Sequence, residues 1–261
     1  MDLLTSFLSF FTGLQNQSVM LFLLITLVFI LAGAVKGVVG LGLPTISMAL
    51  LALMMAPAQA AALLVIPSLF TNVWQMRPFA GVPGLLRRIG TMQVGVFAGT
   101  LVGAWVLGAP AGHGATLALG VALIAYACWG LSGRKIHVPP RMESWMSPLT
   151  GFVTGFITAA TGVFVIPAVP FLQALGLSRD ALIQAMGVFF TVSTIALALG
   201  LWLNQSYSMN AAGASLLMLV PALVGMSLGQ RFRQQLPVAT FRKVFFVSLI
   251  VLGLYQVVAA M

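Results

Sequence analysis

Lys36 is the only charged residue in an apolar run from Val19 to Met55, and it stands inside Gly33-Ala34-Val35-Lys36-Gly37-Val38-Val39-Gly40-Leu41-Gly42-Leu43-Pro44. An ammonium group at membrane depth is expensive and tends to mark an ion path. Four glycines in twelve residues weaken a helix, and Pro44 supplies no amide donor. Irregular backbone at that depth needs protein or a watery cavity to satisfy its polar groups. A second helical arm beginning at Thr45 and Ser47 would aim free amides, and the positive end of its dipole, at an anion. The chemistry is non-covalent capture of an oxyanion.

A related block, Thr158-Ala159-Ala160-Thr161-Gly162, recurs in the second half and would add the hydroxyls of Thr158 and Thr161. Ser68, Thr71, Asn72 and Gln75 share one helical stripe, because residues three and four apart lie on one face. Gln184, Thr191, Ser193 and Thr194 occupy the equivalent region of the second half. Asn72 leads this set, since its amide is costly to leave unpaired in a membrane. The candidate binding residues are Lys36, Gly37, Gly40, Gly42, Pro44, Thr45, Asn72, Thr158, Thr161 and Gly162. Each has a plainer role open to it. Lys36 could snorkel to the interface, and the small and hydroxylated residues could serve helix packing, as Gly95, Gly99 and Gly103 are expected to do.

Other chemistry finds no footing. The two histidines, His113 and His137, fall in separate loops, and Cys128 is the only cysteine. With three acids, Asp2, Glu143 and Asp180, there is no metal-ligand spacing and no Ser/His/Asp arrangement. The reading is a non-enzyme with no cofactor and no metal. No clear span contains a carboxylate, so proton or sodium coupling through a buried acid has no candidate.

Of the 261 residues, 61% are hydrophobic and 6% charged, where a globular chain carries about 25% charged residues. The chain is therefore a polytopic membrane protein with the lipid bilayer as its surroundings. Its net charge of +9 sits in short loops between apolar runs, which excludes a nucleic-acid partner and sets orientation instead. The start, Met1-Asp2, lacks the basic region of a cleaved signal peptide.

Apolar stretches near the ~20 residues of a membrane span run over 58–76, 89–108, 114–132, 181–203, 210–229 and 241–260. Two more, 19–55 and 149–176, are interrupted by small residues and prolines. Basic loops at 77–88, 134–141 and 231–243 are placed in the cytoplasm. Both interrupted stretches must then return to the side they left, as broken hairpins. In the first, arms 19–35 and 45–55 would be about 25 Å and 16 Å long, putting the break within or just past the membrane centre.

The expectation is an all-α fold of about ten elements in two inverted-topology repeats, each a broken helical hairpin plus three transmembrane helices. The repeats would span 1–132 and 149–261, joined by a cytoplasmic linker at 133–148 whose Pro139-Pro140 pair resists helix formation. Both termini would be periplasmic. Gly33-x-x-x-Gly37 aligns with Gly151-x-x-x-Gly155, which sets Gly40–Pro44 opposite Thr158–Gly162.

The glycine blocks resemble those of the sulfite exporter TauE/SafE family, also called the toluene sulfonate uptake permease family. The first block matches at Gly33, Gly37, Gly40 and Gly42 and departs at Leu43-Pro44. The second keeps Gly151, Gly155, Gly162 and Pro167 but has Thr158, Ala160 and Thr161 in glycine places. The resemblance implies a bacterial inner-membrane transporter that exports sulfite or a related sulfur-containing anion, or alternatively an uptake permease for an organosulfonate. A homo-oligomer is compatible with it.

Overall fold

A computed structural model describes residues 18–41, 43–134, 136–233 and 237–261. All regular structure among the described residues is helical. The helices are α1 (Ser18–Val39), α2 (Leu43–Leu51), α3 (Pro57–Gln75), α4 (Val82–Leu107), α5 (Gly112–Ser132), α6 (Pro140–Thr161), α7 (Ala168–Ala174), α8 (Arg179–Leu203), α9 (Met209–Leu217), α10 (Leu219–Phe232) and α11 (Val238–Ala259). A single 3-10 turn, Phe79–Gly81, leads into α4. Among the described residues, seven stretches are long and apolar enough to cross a membrane, with α9 and α10 counted as one.

The first break lies later than the glycine content suggests. α1 runs unbroken through Gly33, Lys36 and Gly37 to Val39. Its 22 residues make a rod of about 33 Å, the full thickness of a hydrocarbon core. The break therefore follows a helix that is by itself long enough to cross, instead of interrupting it halfway. The physical reason lies in α10. A Cβ on Gly33 would stand 2.2 Å from the Ala222 carbonyl oxygen, and one on Gly37 2.3 Å from that of Met226. These glycines let two backbones touch, and the packing gained outweighs their poor helix propensity. The contact is mutual, since Gly225 and Gly229 face the carbonyls of Ile30 and Ala34.

The same device joins α4 to α6. Gly151 and Gly155 press on the carbonyls of Met92 and Val96, while Gly95 and Gly99 press on those of Pro148 and Phe152. Thus α1 of the first half clasps α10 of the second, and α4 of the first clasps α6 of the second. α3 packs on α8 and α5 on α11.

Both breaks are made alike. Gly40 (φ +77°) and Gly162 (φ +70°) end α1 and α6, and each amide donates at 2.7 Å to the carbonyl four residues back, Lys36 and Thr158. By this geometry Gly40 corresponds to Gly162, not to Thr158 as the aligned glycines suggest. α6 simply runs one turn further past its clasp.

Proline positions explain two other differences. α6 starts at Pro140, nine residues before the apolar stretch begins, because proline suits the first helical position, where an amide would be unpaired anyway. The stretch 210–229 divides at Met218 into α9 and α10, since Pro221 cannot donate to the Leu217 carbonyl. Pro67, inside α3, likewise leaves the Leu63 carbonyl free. The Ser215 hydroxyl from α9 donates to that carbonyl at 2.8 Å and accepts the Ile66 amide at 3.0 Å.

Candidate functional site

The C-terminal turn of α1 lies against the C-terminal turns of α3, and the polar stripe of α3 faces it. Lys36 is 3% exposed, so its stem does not snorkel. Its Nζ donates to Thr71 Oγ1 at 3.0 Å and to Asn72 Oδ1. Asn72 Nδ2 in turn donates to Thr194 Oγ1 of α8 at 3.3 Å, and the Thr194 hydroxyl donates to the Phe190 carbonyl at 2.6 Å. Thr71 is anchored by donation to the Pro67 carbonyl at 2.7 Å.

One turn further on, Gln75 Nε2 donates to the Gly40 carbonyl at 3.0 Å and to the Ile183 carbonyl at 3.2 Å. The broken end of α1 is thereby held to both α3 and α8. Gly40 needs its positive φ at this point, while the space beside its α-carbon is open: a Cβ there would meet no atom within 4 Å. Open space beside a positive-φ glycine is where backbone and ligand can approach closely.

Every partner of the Lys36 ammonium is neutral. The one ion pair among the described residues joins Arg88 to Glu143 at 2.6 Å. Asp180 is exposed in the first turn of α8, and Asp2 lies outside the described residues. The Lys36 ammonium is thus held only by hydroxyl and amide oxygens, with no carboxylate beside it among the described residues.

The remaining candidates fall elsewhere. Gly37 is taken up by the clasp with α10. Gly42 lies outside the described residues. Pro44 and Thr45 are buried in the first turn of α2, where a proline costs no hydrogen bond. Ser47 follows, fully buried, with a hydroxyl that has no partner among the described residues.

Thr158 and Thr161 turn inward on their own helix. Thr158 donates to the Thr154 carbonyl at 2.8 Å and Thr161 to the Ile157 carbonyl at 2.7 Å. Thr161 also accepts the Val163 amide at 3.1 Å, so it shapes the break. Gly162 packs on Met48 of α2 and Ala61 of α3, which brings the second break against the first hairpin. Ala61 and Asn72 are eleven residues apart on α3, about 16 Å along its axis. The candidates thus form two groups, one around Lys36 and one around Gly162.

Thr71 and Thr194, which belonged to the polar stripes rather than to the candidate binding set, prove to be direct partners of Lys36 and Asn72. Their signal was the i, i+3/i+4 stripe on α3 and the polar pair Ser193-Thr194 on α8.

Comparison with known proteins adds one match. The family model for the sulfite exporter TauE/SafE matches residues 25–256. No curated protein and no solved structure matches. Since that match runs from the second turn of α1 to the last turn of α11, the chain belongs to the sulfite exporter TauE/SafE family, a family of membrane transporters.

Proposed function

We propose that the protein moves a small sulfur-containing anion, sulfite or a related organosulfonate, out across a bacterial inner membrane, with Lys36 as the residue that meets the charge. The observation that carries this reading is the buried Lys36 ammonium held by Thr71 and Asn72, with no acid beside it among the described residues. The transported anion would serve as its missing counter-ion, binding when it arrives and leaving because no second cation holds it. Gly40 and the amides of the first turn of α2 would complete the cradle, with Pro44 and Thr45 at its rim.

Export suits this chain on energetic grounds. Moving one negative charge out of an inside-negative cell gains ~2.3 kcal/mol per 100 mV, so a doubly charged sulfite gains about twice that. We assign the basic loops to the cytoplasm and the two halves to inverted repeats. The exchange-like pairing of α1 with α10 and of α4 with α6, and the matching breaks at Gly40 and Gly162, support the repeat. Residues 133–139 then link the halves directly. The candidates around Gly162, with Thr158 and Thr161, would shape the break that faces the first hairpin.

The test is flux of sulfite into and out of proteoliposomes under an imposed potential, with sulfate and an organosulfonate as competitors. Voltage-sensitive sulfite flux, lost in Lys36→Gln, is the expected result. Strict dependence on a proton or sodium gradient would overturn the voltage-driven mechanism. Movement of the organosulfonate alone would favour the uptake-permease reading.

A further inference from the structure

We propose that the protein has a second anion site in series with Lys36, a vestibule at the basic end of the bundle that captures the hydrated anion before it reaches the break in α1. This inference rests on the reading of Lys36 as the inner anion contact.

The vestibule is a cavity of about 540 Å³ between the C-terminus of α1, the end of α5, α7 and the start of α11. Its lining includes Val39 and Leu41, which flank Gly40, and Lys36 lies one helical turn inside them. Arg134 follows α5 and Arg242 comes from the first turns of α11, so two guanidiniums from different elements border one space. Gln173 of α7 adds an amide, and no Asp or Glu lines the cavity. The wall between them is aromatic. Tyr126 and Phe246 meet edge to face at 5.3 Å, and Trp129 lies beside them.

The aromatic wall is rooted in the bundle, since Tyr126 is only 2% exposed and its hydroxyl is sealed from solvent, which leaves the anion contacts to Arg134, Arg242 and Gln173. The volume points the same way. At about 30 Å³ per water, the cavity holds a small oxyanion with much of its hydration shell, whereas the Lys36 site is enclosed by side chains. Two arginines at an open mouth raise the local anion concentration and speed capture. The anion would then shed water stepwise, first against the arginines and Gln173, then at Lys36.

A vestibule acts on loading from its own face alone, and that separates it from the inner site. Sulfite flux would be compared in right-side-out and inside-out membrane vesicles carrying wild type, Arg134→Gln, Arg242→Gln and the surface control Arg87→Gln. We expect each vestibule variant to raise the half-saturating sulfite concentration about threefold or more in one vesicle type only. Maximal flux and the opposite vesicle type should be unchanged, and Arg87→Gln should be silent. Equal effects from both faces, or an equal effect of Arg87→Gln, would overturn the vestibule while leaving Lys36 standing.

If wild type carries no sulfite in either vesicle type, the transport reading fails, and binding decides the vestibule by itself. A variant keeping Trp129 and replacing Trp74, Trp105, Trp145 and Trp202 by Phe would be titrated with sulfite. Saturable quenching that is lost in Arg134→Gln supports the site. Unsaturable quenching, or quenching indifferent to Arg134→Gln, overturns it.

Discussion

Lys36 donates to the side-chain carbonyl of Asn72, thirty-six residues on, and Asn72 passes the bond to Thr194 in the other half of the chain. The amide serves as an adaptor with oxygen toward the cation and nitrogen toward the hydroxyl. Asn72→Asp would replace a neutral acceptor by a resident counter-ion. It should lower sulfite affinity at least about tenfold, the equivalent of about 1.4 kcal/mol, without lowering thermal stability. Asn72→Leu should instead cost about 1–3 kcal/mol, because it strips a partner from a buried charge. Flux titrations alongside melting curves in detergent check both.

The glycines fall into classes that one substitution separates. Gly33→Ala sets a methyl 2.2 Å from the Ala222 carbonyl oxygen and forces α1 and α10 apart. It should destabilise the fold by about 1–3 kcal/mol. Gly90→Ala, with nothing within 4 Å of its Cβ position, should be neutral or stabilising by up to about 1 kcal/mol, as in any open helix interior. Gly40→Ala meets no atom but must hold φ near +77°, so it should cost about 1–2 kcal/mol and alter flux. Thermal unfolding in detergent ranks the three.

Ser215 repairs what Pro67 leaves undone. Removing its hydroxyl abandons both the Leu63 carbonyl and the Ile66 amide in a setting without water. Ser215→Ala should therefore lose about 1–3 kcal/mol. A double variant, Pro67→Ala with Ser215→Ala, should recover much of that, because an alanine amide in place of the proline can donate to the Leu63 carbonyl. A thermodynamic cycle on the melting temperatures tests the coupling.

Arg88 grips Glu143 with two hydrogen bonds, at 2.9 and 2.6 Å, and also donates to the Leu175 carbonyl at 2.8 Å. Those bonds hold the Glu143 carboxyl below the usual carboxylate range. A carboxyl depressed in the folded state contributes stability above its unfolded pKa, and that contribution is lost as pH falls through the folded value. Acidification below about pH 4 should thus lower the melting temperature of wild type more than that of Glu143→Gln. The pair is partly exposed, so the difference should stay near 0.5–1 kcal/mol.

The all-helical fold and the approximate bounds of most apolar helices were legible in the sequence, because each depends on periodicity, charge and loop composition within a few residues, whereas the bond from Lys36 to Asn72 was not foreseen. What was not legible lay in the choice between two roles that one residue type can fill. Gly33 and Gly37 read as helix breakers until Ala222 and Met226 stand against them. Thr158 and Thr161 read as ligand hydroxyls, and in the fold each donates to the carbonyl four residues back, a local bond that helical threonines readily make. The Pro139-Pro140 pair read as a barrier to a helix that it in fact begins. In each case the residue type was right for two roles, and the folded surroundings, distant for the glycines and local for the threonines and prolines, decided between them.

The crossed clasping of the two halves also sets an order on biosynthesis. As the chain leaves the ribosome, α4 meets its partner once α6 has been made, while α1 must wait for α10. The helix carrying Lys36 is thus made before α4 yet secured after it. A truncated chain would leave its glycine face bare in the lipid, where quality-control proteases act on unpartnered helices.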